Sequence, residues 1–99
     1  MSYKKYIIVN ERISNGYYTY KIHLLDAVNK CNIDYEYYGD MQYWGIPNSE
    51  ITFDEALRKL LCYYNIDKDD IEFINCGGHF QDSCSDEIID MMFKSCYEV

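Results

Sequence analysis

Cysteine and histidine lie close together in the segment Cys76-Gly77-Gly78-His79, and Cys84 and Cys96 follow it. Three thiolates and one imidazole can bind zinc tetrahedrally, and the two glycines would let the backbone fold tightly around the ion. Structural zinc sites usually show two close ligand pairs, whereas a whole predicted helix separates Cys84 from Cys96. Because free cysteine is among the most buried residue types, we predict small core residues and no metal here. A zinc-binding module using Cys76, His79, Cys84 and Cys96 is the alternative.

The same segment also fits a nucleophilic enzyme. Cys76 or Cys84 would attack, His79 would act as the base, and Asp82 is the nearest carboxylate that could orient the imidazole. Catalytic Cys and His residues generally meet through the fold rather than along the sequence, so this spacing does not select the chemistry. The glycine motifs of phosphate-binding loops are absent. We therefore predict a protein that is not an enzyme and needs no cofactor, with a Cys/His enzyme as a less favoured alternative.

Charge is distributed unevenly along the 99 residues, whose net charge is −8. Residues 1–33 hold five bases and two acids, a net of +3, whereas residues 34–99 hold fifteen acids and four bases, a net of −11. A field of that sign repels nucleic acid and attracts basic surfaces. The expected partner is therefore a basic protein surface, with no direct contact to nucleic acid.

Aromatic side chains alternate with acids in residues 34–44. An RNA-binding sheet would interleave its aromatics with Lys and Arg, yet residues 34–57 contain six acids and no base. Acids interleaved with Tyr and Trp suit a basic protein groove, although any half-buried strand with a polar outer face shows the same alternation. The predicted partner-binding residues are Asp34, Glu36, Tyr37, Asp40, Tyr43, Trp44, Asp67, Asp69, Asp70, Asp82, Asp86 and Glu87.

Small size, acidity and aromatic content together favour a binding protein that acts by protein–protein contact. In this general profile the chain resembles immunity proteins against bacterial nucleases and phage-encoded inhibitors of host defence, although it matches no motif of either group. The resemblance implies an inhibitor that occludes, or mimics nucleic acid in, the positive channel of a nucleic-acid-handling enzyme.

The compartment is predicted from the chain start and the cysteines. No run of 18 apolar residues occurs, and the first residues lack the long apolar stretch of a secretory signal. Five cysteines are an odd number at irregular spacing, which favours reduced thiols over a disulfide framework. We therefore expect a cytoplasmic protein that does not enter a membrane.

The order of predicted elements gives an α+β class. We expect a single domain over residues 1–99, with an antiparallel sheet of four to five strands and two main helices packed on one face. The pair Asn15-Gly16 predicts a hairpin with strands at about 4–13 and 17–23. Apolar residues at helical spacing compete with the strand over residues 17–31, and we place a short helix after His23.

The remaining elements follow from capping residues and apolar periodicity. Strands are expected at 34–38, 41–44 and 71–76. Thr52 and Glu55 form a capping box ahead of a helix over 53–64. Ser85 is expected to cap a last helix that runs to about Tyr97. The predicted buried residues of the two helices are Phe53, Leu57, Leu60 and Leu61 in the first, and Ile88, Ile89, Met92, Phe93 and Cys96 in the second.

Overall fold

The computed structural model describes residues 4–14, 18–39, 51–76 and 84–97. It confirms the α+β class, and these residues form four strands and two α-helices in one small domain. The predicted strand at 41–44 lies outside the described residues. The elements are β1 (Tyr6–Ser14), β2 (Tyr18–Asp26), β3 (Cys31–Gly39), α1 (Phe53–Tyr63), a 3₁₀ turn (Lys68–Asp70), β4 (Ile71–Cys76) and α2 (Asp86–Phe93).

The sheet has the strand order β3-β2-β1-β4. The predicted hairpin is confirmed, since β1 and β2 pair antiparallel, and β3 pairs antiparallel with β2. β4, however, runs parallel to β1, so the sheet is mixed and the expectation of a wholly antiparallel sheet is wrong. A parallel neighbour requires a crossover connection, and α1 lies in the connection between β3 and β4.

The two helices pack on opposite faces of the sheet, not on one face as predicted. Successive residues of β1 point to opposite faces, and Ile7, Ile8 and Val9 are all fully buried. A strand that is apolar on both faces needs a cover on each side. The face of α1 contains Ile8, Ile22, Leu24, Tyr38, Ala56, Leu60, Leu61 and Ile71, and the face of α2 contains Ile7, Val9, Leu25, Ile88, Met91 and Met92.

The helix predicted after His23 is wrong, because β2 continues to Asp26. Leu24 and Leu25 are both fully buried, one in each core cluster, so this run lacks the alternation that usually identifies a strand. A tight turn follows, in which Asp26 Oδ1 accepts hydrogen bonds from the backbone N–H groups of Val28 (2.9 Å) and Asn29 (3.0 Å). Such an Asx turn ends β2 at Asp26 and reverses the chain direction before β3 begins at Cys31.

Thr52 is confirmed as the N-cap of α1, and its side-chain bond is one of the two hydrogen bonds of the predicted capping box. Thr52 Oγ1 accepts a hydrogen bond from the Glu55 backbone N–H at 3.2 Å, and the helix ends just before Asn65, whose φ of 54° is left-handed. Leu60 and Leu61 are buried as predicted, together with Ala56. Phe53 and Leu57 are only half-buried, because they pack at the margin of the core cluster.

α2 is shorter than predicted and ends at Phe93 rather than near Tyr97. Ser85 caps it as expected, accepting a hydrogen bond from the Ile88 N–H at 3.3 Å. After the helix the chain turns to β3, where Asn32 N–H donates to the Lys94 carbonyl and Cys96 N–H donates to the Asn32 carbonyl. The buried residues are Ile88, Met91 and Met92, while Ile89 (37 % exposed), Phe93 (79 % exposed) and the half-buried Cys96 lie outside the buried stripe.

Four of the five cysteines are paired in disulfides, so the expectation of reduced thiols is wrong for these four. Cys31 at the start of β3 is joined to Cys96, and Cys76 at the end of β4 is joined to Cys84. Cys62 is the free cysteine and is exposed on α1. Spacing along the chain did not reveal the pairs because both are made by the fold, one across 65 positions.

Leu60→Ala tests the core of the α1 face. Leu60 is 2 % exposed, so its truncation should lower the free energy of unfolding by about 2–5 kcal/mol. Urea unfolding followed by circular dichroism measures this. Cys62→Ala on the exposed side of the same helix is the control and should leave the unfolding midpoint nearly unchanged; equal effects of the two variants would contradict the packing described.

Thiol titration tests the pairing of the cysteines. Protein purified without reductant and unfolded in guanidinium should present one reactive thiol per chain, that of Cys62, and five after reduction. Cys62→Ser should present none before reduction. Three or more reactive thiols in the unreduced parent would contradict at least one disulfide.

Candidate partner-binding surface

The predicted partner-binding acids that the structure describes form three separate groups. Asp34 and Glu36 lie on β3 opposite Leu24 and Ile22, and therefore on the α1 face. Asp67, Asp69 and Asp70 lie in and beside the 3₁₀ turn before β4. Asp86 and Glu87 form the first turn of α2, on the other side of the sheet. Asp40, Tyr43, Trp44 and Asp82 lie outside the described residues.

Asp34 is held by the end of α1. Its Oδ2 accepts a 2.6 Å hydrogen bond from the Tyr64 hydroxyl, and its Oδ1 accepts from the Tyr35 backbone N–H at 2.7 Å. Burial and this bond to Asp34 raise the pKa of Tyr64 well above its ordinary value. Since both oxygens of Asp34 already have donors, the carboxylate fixes α1 to β3 more than it offers charge to a partner.

Glu36 lies beside a base of α1. Its Oε1 is 3.7 Å from Lys59 Nζ, and both side chains border a shallow cleft of about 320 Å³ that also includes Asp34, Leu60 and Tyr63. Tyr63 is 80 % exposed at this cleft. An exposed ion pair of this kind contributes at most about 1 kcal/mol. Glu36 can therefore exchange Lys59 for a base of a partner at little cost.

Tyr37 lies on the α2 face of the sheet, opposite to Asp34 and Glu36, and its ring is close to a lysine and a second tyrosine. Lys21 Nζ is 5.5 Å from the centroid of the Tyr37 ring and 4.0 Å from that of Tyr35, and the two rings meet edge to face at 5.6 Å. Burial, with smaller contributions from Tyr35 and Glu11, raises the pKa of Tyr37. Sequence reasoning missed Lys21, although the β2–β3 register that pairs it with Tyr37 would have revealed the contact.

A buried histidine–carboxylate pair lies on the same face. His23 is 3 % exposed, and its Nε2 is 2.9 Å from Glu11 Oε1. Within the described part of the chain its buried Nδ1 has no hydrogen-bond partner. The bond to His23, opposed by burial and assisted by the charges of His23 and Lys21, lowers the pKa of Glu11. The His23 imidazole therefore lies inside the sheet and bonds to Glu11 rather than to solvent.

The acids before β4 are held on an ordered, exposed turn. Asp67 Oδ1 accepts a hydrogen bond from the Asp69 N–H at 3.0 Å, and Asp70 N–H donates to the Asp67 carbonyl at 3.0 Å. Lys68 is the one base of this turn, and all four side chains are exposed. The backbone of this turn is ordered, and its three acids present a concentrated negative charge to solvent.

The start of α2 presents two further exposed acids. Asp86 is exposed in the first turn, where a negative charge is favourable beside the positive end of the helix dipole. Glu87 Oε1 is 3.3 Å from Lys30 Nζ in the turn between β2 and β3. Asp86 is therefore the more available of the two carboxylates for a partner.

The disulfides remove the ligands of the zinc alternative and the thiols of the Cys/His enzyme. Cys76 and Cys84 are bonded to each other and Cys96 is bonded to Cys31, so none of the three offers a thiolate. His79 lies outside the described residues. Among the residues that the structure describes, no group of three His, Cys, Asp or Glu side chains is placed to hold a metal ion.

Comparisons with known protein families, with curated proteins and with solved structures find no match to this chain. Over the described ranges, none of the helices is long and apolar enough to cross a membrane.

The titration of Glu11 tests the buried pair. Because the pKa of Glu11 is lowered below 4.5 in the folded chain, its ionisation stabilises the fold above that pH, and this contribution is lost as the pH falls through the lowered pKa. Carboxyl carbon NMR should give a lower midpoint for Glu11 in the folded protein than in the same protein in urea. Equal midpoints in the two states would contradict the hydrogen bond from His23.

Proposed function

We propose that this protein is a small acidic binding protein that inhibits a basic, nucleic-acid-handling enzyme by occupying its positive channel. The observation that carries the proposal is the charge: a net of −8, with the excess of acids confined to residues 34–99. An excess of acids raises the rate of encounter with a basic surface and repels nucleic acid. The protein would thus compete with nucleic acid for the channel of the enzyme.

The exposed acids of the 3₁₀ turn and of the α2 start support this proposal. Asp67, Asp69, Asp70 and Asp86 are solvent-exposed carboxylates on short ordered segments. Exposed carboxylates can pair with Lys and Arg side chains that otherwise bind phosphates. Tyr43 and Trp44, predicted from the sequence as aromatic anchors, would hold the complex once formed.

We propose a non-enzymatic role with no cofactor. Of the two histidines, His23 is buried against Glu11, and the cysteines nearest His79 in the sequence are consumed in a disulfide. These facts count against a Cys/His enzyme and against the zinc module. They leave contact with another protein as the function that the surface supports best.

The cytoplasmic location remains part of the proposal, and the disulfides count against it. Disulfides persist mainly in oxidising compartments, whereas the expectation of a reducing one rested on unpaired thiols. Thiol titration of protein trapped directly from its source cell decides between them: five reactive thiols support the cytoplasm, and one supports an oxidising compartment.

A salt-dependent pull-down tests the existence of the partner. The tagged protein, incubated with lysate of its source cell at about 50 mM salt, should retain a basic nucleic-acid-binding protein that is released at about 500 mM, because salt screens exposed charges. Polyanionic nucleic acid added as a competitor should displace the same protein. Retention of only neutral or acidic proteins would contradict the proposed function.

Charge reversal tests the acidic surface itself. Replacing Asp69, Asp70 and Asp86 together by Lys should leave the circular dichroism spectrum unchanged, since all three are exposed, and should lower the association rate with the captured partner at least tenfold at low salt. The matched triple replacement by Asn should fall between parent and Lys variant. Association of the Lys variant as fast as the parent would mean that the acids serve solubility alone.

A further inference from the structure

Over the described residues β4 is an edge strand of the sheet, and the inward-pointing Glu72 is the one feature within it that usually protects such an edge. In the described residues it pairs with β1 on one side and with no strand on the other. Native edges are commonly blocked by Lys, Pro or a bulge, and β4 (Ile71–Cys76) contains neither residue and keeps an unbroken register with β1. Its Phe73 is 54 % exposed.

The hydrogen-bond pattern identifies which groups of β4 face outward. Ala27 N–H donates to the Lys5 carbonyl, so odd-numbered residues of β1 direct their backbone groups to β2 and even-numbered ones direct theirs to β4. Ile8 is level with Phe73 in the parallel register, so its backbone groups bond to the two neighbours of Phe73, Glu72 and Ile74. Phe73 and Asn75 thus direct their own N–H and C=O groups to the outer edge.

The charge around this edge specifies what kind of strand would fit it. Three acids, Asp67, Asp69 and Asp70, and one base, Lys68, directly precede the strand, and the Cys76–Cys84 disulfide brings the start of α2, with Asp86, to its other end. Within the strand, Glu72 Oε2 is buried and has no hydrogen-bond partner among the described residues. A second copy of this chain would bring the same acids against these, so charge favours a basic strand.

We propose that the outer edge of β4 accepts an extended, basic strand of the partner protein by antiparallel β-pairing. This inference rests on the proposed function and gives its mode of recognition. Main-chain bonds to Phe73 and Asn75 supply the attachment. Alternate side chains of the incoming strand meet different faces: apolar ones pack beside Phe73, and Lys or Arg ones reach Glu72 and the acids at the two ends of β4.

The probe for this inference is a peptide with the matching alternation, an N-acetylated (Lys-Val)₄ amide with a fluorescent label. In ¹⁵N-labelled protein at low salt, saturating peptide should slow hydrogen exchange of the Phe73 and Asn75 amides at least tenfold. The same peptide with N-methylated valines cannot donate to β4 in this register, and its methyl groups would lie against β4 and block pairing, so it should give no protection. Unchanged exchange of both amides with a bound peptide would overturn the inference.

Proline variants test the same edge independently. Phe73→Pro removes an outward N–H and the ring while leaving the bonds to β1, whereas Phe73→Ala removes the ring alone. Fluorescence anisotropy should show peptide affinity at least tenfold weaker for Phe73→Pro than for Phe73→Ala. The pair Asn75→Pro and Asn75→Ala repeats the test if Phe73→Pro fails to fold, and equal affinities within a folded pair would overturn the inference.

The outcomes separate this inference from the proposed function. One outcome is that the Lys triple variant loses the captured partner while Phe73→Pro binds it as well as Phe73→Ala does. In that case the proposed function stands, and the β4 edge is excluded as the attachment point. If neither peptide nor any basic partner binds the parent at low salt, the proposed function fails first. A further outcome, without peptide, is hydrogen-exchange protection of the Phe73 and Asn75 amides that increases with protein concentration. This would show that β4 pairs with β4 of a second copy, and it would overturn the inference that the edge accepts a basic strand of a partner.

Discussion

The pair of central strands, β1 and β2, is buried on both faces, and most of the architecture follows from this. Residues 7–9 and 22–25 lie almost entirely out of solvent, so each face of the sheet requires its own apolar layer. The connection between β3 and β4 supplies α1 for one face, and the C-terminal part of the chain supplies α2 for the other. Of the candidate partner-binding acids, Asp67, Asp69, Asp70, Asp86 and Glu87 lie on a turn and a helix start outside these two layers, whereas Asp34 and Glu36 lie on β3.

The α2 layer depends on covalent bonds more than the α1 layer does. α2 has eight residues, and a helix of that length is marginal without tertiary support. The Cys76–Cys84 bond fixes its start to β4, and the Cys31–Cys96 bond fixes the segment after it to β3. In the loop-entropy account, closing a loop as long as that between Cys31 and Cys96 stabilises the fold by about 4 kcal/mol.

Local signals in the sequence predicted the elements well, because short-range chemistry determines them. Asn15-Gly16 located the β1–β2 hairpin, Thr52 and Ser85 located two helix starts, and the apolar run at 71–76 located β4. The placement of the helices on opposite faces was missed. That placement depends on which residues of the central strands face each side of the sheet. A continuous apolar run has no alternation from which the two faces could be told apart.

The candidate surface was only partly predictable for a related reason. The excess of acids and the exposure of Asp69, Asp70 and Asp86 followed from composition and turn chemistry. The pairing of Asp34 with Tyr64, of Tyr37 with Lys21, and of four cysteines in two bonds depends on residues that are distant in the chain. Strand register and packing bring these pairs together, and neither can be predicted from one segment of the sequence alone.

The Cys31–Cys96 bond divides the molecule into a covalent ring and a strand pair outside it. Residues 31–96 form the ring, which contains β3, both helices and β4, while β1 and β2 belong to the open N-terminal segment. Yet β1 and β2 lie between β3 and β4 in the sheet, so the ring surrounds a hairpin that it does not contain. A chain cut in the turn between Asp26 and Cys31 would therefore consist of two pieces that reassemble only by insertion of the hairpin, a natural arrangement for fragment complementation.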